Sequence, residues 1–148
     1  MKAVESRFTA IPNAPDRVPE GRRFVRDFLH EVGAPEDDVF EILVAVDEAL
    51  SNTCRHAAPP GTGVVVIRCF YSNGSFIVQV LDGGSGFDTR IISLDEPPDP
   101  LSQEGRGIFL MNQLMHQVHI ASSPGGTVVT MERNLPAREV AEQAGALA

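Results

Sequence analysis

Apolar positions recur along this chain with two different periods, and the switches between them lay out its elements. Residues 3–11 alternate weakly and predict a strand, interrupted at Pro12, Asn13 and Pro15. Phe24, Val25, Phe28, Leu29 and Val32 return at helical spacing and predict a first helix from 19 to about 32, with Gly33 as its stop. Pro35, the acids Glu36, Asp37 and Asp38, and the apolar series Val39, Ile42, Leu43, Val46 and Leu50 predict a second helix from 35 to about 57. Proline suits a first helical turn, and carboxylates favour the positive end of the helix dipole. Residues 63–71 and 75–81 are β-rich and predict two strands. They are joined by Ser72-Asn73-Gly74, an antiparallel hairpin signal because Asn-Gly tolerates positive φ.

Residues 87–104 follow neither period and carry Pro97, Pro98 and Pro100 among acids. Such a length inside a small domain predicts a functional lid, with a surface loop as the alternative. A third helix is expected from 107 to about 116, then strands at 118–121 and 127–133 around a Pro-Gly-Gly turn. The pattern gives one domain over 1–134 and a tail over 135–148, expected as a loosely attached helix. Helices and strands in these proportions predict an α/β (α+β) two-layer sandwich.

Composition narrows the function. With 148 residues, 43% of them hydrophobic, the chain can bury a core without disulfide or metal support. The net charge of -8 argues against a nucleic-acid footprint or attraction to anionic lipid, and favours a protein partner. No run approaches the roughly 18 apolar residues of a membrane span, and the opening residues lack an apolar signal segment. Cys54 and Cys69 form no CxxC pair and predict reduced thiols in a soluble, cytoplasmic protein. Lys2 is the only lysine, so neither a Walker loop nor a Schiff-base lysine lies farther along, and any phosphate is held by other means.

Three short motifs supply such means. Glu48, Asn52 and His56 stand four apart and rise along one side of the second helix, nearly opposite Val39, Val46 and Leu50. Periodicity alone makes this a solvated face. Chemically, an Asn amide oxygen is a neutral hard ligand suited to Mg²⁺, and a Glu one turn earlier can take a proton from a hydroxyl. His56 reads as a cap on the helix end. Asp82 closes a strand, where its carboxylate can accept from a purine exocyclic amine while Gly84 and Gly86 let the backbone approach a ring. An ordinary Asp-Gly turn is the alternative. Gly105 and Gly107 precede an apolar helix whose free N–H groups can receive phosphate, with Arg106 adding a charge-assisted contact; a merely flexible helix start is the alternative. Together the motifs read as an ATP pocket. His116 and His119 straddle a helix end with no third ligand nearby, which speaks against a metal site there.

On these residues the chain resembles the Bergerat-fold (GHKL) ATP-binding superfamily, and within it the small bacterial anti-sigma-factor serine kinases, over roughly residues 5–134. The stretch 46–56 looks like the N box, 81–88 the G1 box and 105–118 the G2 box. The resemblance implies a mixed, largely antiparallel sheet covered on one face by about three helices. It also implies that Glu48 is the general base, Asn52 the Mg²⁺ ligand, Asp82 the adenine contact, Gly105 and Gly107 the phosphate site, and Thr127 part of the nucleotide pocket. Similar proteins are homodimers that sequester a sigma factor and phosphorylate a serine on a STAS-type antagonist. A non-catalytic, nucleotide-gated binding module and a detached histidine-kinase catalytic domain are the rival readings.

Overall fold

The computed structural model describes residues 5–56, 63–83, 106–123 and 125–135. The chain runs β1 (Glu5–Pro12), a 3-10 turn (Pro15–Arg17), α1 (Val18–Glu31), α2 (Glu36–His56), β2 (Val64–Ser72), β3 (Ser75–Asp82), α3 (Arg106–Leu114), β4 (Gln117–Ser123) and β5 (Gly126–Asn134). The expected lid at 87–104, the tail beyond 135 and the side chains of His56 and Arg106 lie outside the described residues.

All four strand pairings are antiparallel, in the order β1-β2-β3-β5-β4. The last strand is thus inserted between β3 and β4. The β2–β3 hairpin closes with Ser72 opposite Ser75. Asn73 and Gly74 take φ of 52° and 80°, the doubly left-handed turn that matches strand twist. Pro12, expected to break the first strand, stays in it opposite Val64. An edge strand tolerates proline because the missing N–H can face outward.

Helix ends follow from capping. Gly33 N–H donates to the His30 carbonyl at 3.1 Å and Ala34 N–H to Leu29 at 2.9 Å, the paired bonds of a Schellman stop. At the start of α2, Val39 N–H donates to the Pro35 carbonyl at 2.9 Å. The third helix ends at Leu114, two residues before the expected His116, because β4 begins at Gln117 and His116 N–H already donates to Glu132.

One sheet face is covered: α1 lies against β1 and β2, α2 against β3 and β5, and α3 against α2 and β4. Alternate strand residues face the helices, so Val65, Ile67 and Cys69 of β2 and Phe76, Val78 and Val80 of β3 are buried. They meet Leu29 of α1 and Ile42, Val46 and Leu50 of α2. Phe28 and Phe76 sit with ring centroids 6.0 Å apart at 39°, a tilted pair within the favourable range. Arg133 ties three elements together, donating to the Leu114 carbonyl at 2.7 Å and to Asp38 at 2.9 Å. This is the helix-covered antiparallel sheet implied by the Bergerat resemblance.

Candidate functional site

α2 carries Glu48 and Asn52 one turn apart on the side turned away from the sheet core. Their face is not solvated as helical periodicity alone implies. The third helix packs against α2, with Gly107 beside Glu48; Glu48 is half-buried and Asn52 only 7% exposed. Gly107, in the first turn of α3, makes this approach possible. A Cβ placed there would come within 2.6 Å of Glu48 Oε2, so the carboxylate occupies the volume a side chain would need. An acid of α2 and the first turn of α3 are thereby juxtaposed. Asn52 Oδ1 accepts a hydrogen bond from Arg55, one turn nearer the helix end.

The sheet supplies the opposite wall. Asp82, last residue of β3, pairs with Thr127 in β5 and with Val65 in β2. By strand alternation Asp82 shares the helix-covered face with Val78 and Val80. Thr127 is 5% exposed, and its Oγ1 lies 3.1 Å from the Ser122 hydroxyl of β4. Gly126, with φ of 143°, makes the close crossing possible: a Cβ there would lie 2.0 Å from the Asp82 carbonyl oxygen. Only glycine lets β5 begin so near the end of β3.

The two walls face the same end of the molecule. Asn13, just past β1, bonds the last turn of α2 through Thr53, and its N–H donates to Gly63 at 2.9 Å, immediately before β2. Since the start of β2 pairs with the end of β3, the C-terminal turn of α2 stands over the sheet end that carries Asp82 and Thr127. Glu48, Asn52, Asp82, Gly107 and Thr127 therefore belong to one region. Gly84, Gly86 and Gly105 lie outside the described residues, as does the Arg106 side chain. Three residues that bond the candidates or their neighbours were not singled out from the sequence: Asn13, Arg55 and Ser122. Arg55 had a usable signal, its place three residues after Asn52 on a helix; Ser122 had none until its pairing with Thr127 was known. Cys54, two residues after Asn52, is buried, and desolvation pushes its thiol up against an opposing hydrogen bond with Thr53.

A family model described as the histidine kinase-like ATPase domain matches residues 11–133, a stretch that contains all three motifs. The chain belongs to that family. This histidine kinase-like ATPase domain is 31% identical over 126 residues to a serine-protein kinase RsbW from Bacillus licheniformis, covering 79% of this chain and 78% of the relative. It is 27% identical over 120 residues to an anti-sigma F factor from Caldanaerobacter subterraneus subsp. tengcongensis, covering 76% and 81%. The fold also superposes, with a TM-score of 0.66 at 19% identity, on the crystal structure of the RsbU and RsbW domains of a Mycobacterium tuberculosis protein. That match takes in 88% of this chain and 32% of the larger one. The resemblance read from the N, G1 and G2 boxes is borne out by the family match.

Proposed function

We propose that this histidine kinase-like ATPase domain is an ATP-dependent serine protein kinase that works as a partner-switching anti-sigma factor. Its phosphoryl acceptor is a serine on a STAS-type antagonist, and its other partner is a sigma factor. The observation that carries the reading is Glu48 set against Gly107, with Asn52 one turn farther along α2. The relatives named as serine-protein kinase and anti-sigma F factor support it.

In this reading Glu48 takes the proton from the serine hydroxyl as its oxygen bonds to the γ-phosphorus. The bond from that phosphorus to the β,γ-bridging oxygen breaks, and ADP leaves. Backbone N–H groups around Gly105 and Gly107 hold phosphate oxygens, with Arg106 adding charge. Asp82 accepts from the adenine amine, Gly84 and Gly86 admit the ring, and Thr127 lines the pocket. Asn52 fits Mg²⁺ on two counts: its donor is a neutral amide oxygen, and that oxygen already accommodates positive charge, the Arg55 guanidinium. When bound, the ion neutralises charge on the phosphate oxygens. Residues 1–134 form the catalytic domain and 135–148 a tail. We place the protein in the cytoplasm as a homodimer; no helix among the described residues is long and apolar enough to cross a membrane.

Thermal unfolding with and without Mg-ATP tests the pocket. At about 100 times its dissociation constant, Mg-ATP stabilises the folded state by about 2.7 kcal/mol, a Tm rise of roughly 5–10 °C for a domain of this size. Asn52→Ala abolishes most of that rise. Incubation with a purified STAS-domain acceptor then tests transfer: phosphoserine with wild type and none with Glu48→Ala is the expected pair. A nucleotide-dependent complex that never yields phosphoserine would instead make this a non-catalytic binding module.

A further inference from the structure

Asn13 lies outside all three motifs, and in the sequence it is only a residue that interrupts a strand. In the fold it is 2% exposed, and both polar atoms of its side chain are spent on the last turn of α2. Nδ2 donates to the Thr53 carbonyl at 3.2 Å. Oδ1 accepts from the Thr53 hydroxyl at 2.9 Å and from the Cys54 thiol at 3.3 Å. The Thr53 hydroxyl also lies 2.9 Å from the Leu50 carbonyl, so the knot reaches back a full turn.

A helix end is where backbone geometry is least determined. The last four carbonyls have no intrahelical donor, and the final turn frays unless side chains or packing hold it. Thr53 contributes one of those carbonyls in α2. Asn52, immediately before it, must present its amide within a few tenths of an ångström to serve as a ligand. Buried amide bonds are suited to this: leaving any partner unsatisfied costs its full desolvation penalty, so the pairing permits one arrangement. Asn13 comes from a separate element and is itself anchored to Gly63. It therefore couples the helix end to the sheet end bearing Asp82.

We propose that Asn13 is a positioning residue for Asn52, holding the last turn of α2 so that the Asn52 amide oxygen is aimed at the metal accompanying ATP. The proposal rests on the reading of Asn52 as the Mg²⁺ ligand. A partner bonded directly to a metal ligand typically contributes about tenfold or more to metal affinity, and Asn13, acting through Thr53, is expected to contribute on the same order. The contribution belongs to the metal and not to adenine, which lies with Asp82 on the sheet.

The test is calorimetric titration of ATP in excess Mg²⁺ and in EDTA, for wild type, Asn13→Ala, Thr53→Val and Asn52→Ala, each with its Tm. The ratio of the dissociation constant in EDTA to that in Mg²⁺ isolates the metal-dependent part. Asn13→Ala is expected to lower that ratio by about tenfold while affinity in EDTA stays within about twofold. A fall in Tm with an unchanged ratio would show a purely structural residue and overturn the proposal. Thr53→Val keeps the shape of Thr53 and deletes its hydroxyl, so it supplies the same reading if Asn13→Ala does not fold: a lowered ratio supports the proposal and an unchanged one rejects it. Asn52→Ala separates the two levels of inference. If it keeps the wild-type ratio, the assignment of Asn52 fails and the role of Asn13 goes with it. If it loses the ratio while both knot variants keep it, the role of Asn13 alone is wrong.

Discussion

Gly107 and Glu48 compete for one small volume, and the competition has different consequences for stability and for catalysis. A methyl group at 107 meets the far end of a carboxylate, 2.6 Å away, and a flexible side chain can swing aside. Gly107→Ala should therefore keep its Tm within a few degrees and still bind Mg-ATP, while single-turnover phosphotransfer falls by about a hundredfold, the scale of an ångström displacement of a reacting group. Unchanged transfer would remove Glu48 from the reaction. At this scale the sequence was legible in part. The four-residue spacing put Glu48 and Asn52 on one helix face, but read alone it made that face solvated, and nothing in it said that Asn52 would be buried or that Gly107 would sit against Glu48. Asn13 was illegible, because a lone Asn after Pro looks like any turn residue until its tertiary partners are known.

Elements were more legible than residues, since period, caps and turn chemistry are local. The Asn-Gly hairpin and the Gly33 stop stand where the pattern placed them. What local pattern could not supply was strand order, because the insertion of β5 between β3 and β4 is a long-range choice. Nor could it reveal the closeness of α1 to its neighbours. A Cβ on Gly21 would lie 2.8 Å from both Ile67 and Leu50 and 3.2 Å from Ile11. All three contacts are with side-chain ends in the packed core, so those ends or the helix would have to shift. Gly21→Ala is expected to destabilise by about 1–3 kcal/mol despite the better helix propensity of alanine, read from urea midpoints. Stabilisation would mean that α1 packs more loosely than described.

For the whole molecule, the two cysteines report different depths of opening. Cys69, fully buried in β2, has its thiol pushed up to about 12 by desolvation, so at pH 8 almost none is thiolate in the folded state. Unfolding restores an ordinary thiol, and labelling at Cys69 should track global unfolding and be slowed by Mg-ATP. Cys54, 8% exposed on the last turn of α2, should label faster, through local opening of that turn. Iodoacetamide labelling at pH 8 followed by peptide mass spectrometry checks this order; equal rates would mean that the end of α2 opens only with the whole domain.

The position of β5 also sets when the protein can first work. Glu48, Asn52 and Asp82 leave the ribosome well before Thr127, and β3 and β4 cannot complete the sheet until the strand between them has emerged. A nascent chain short of that strand holds an incomplete sheet with an exposed strand edge. On the proposed assignment of the pocket, competence to bind nucleotide arrives in one late step of synthesis, and ATP, by binding the folded state in preference to the unfolded chain, draws folding to completion.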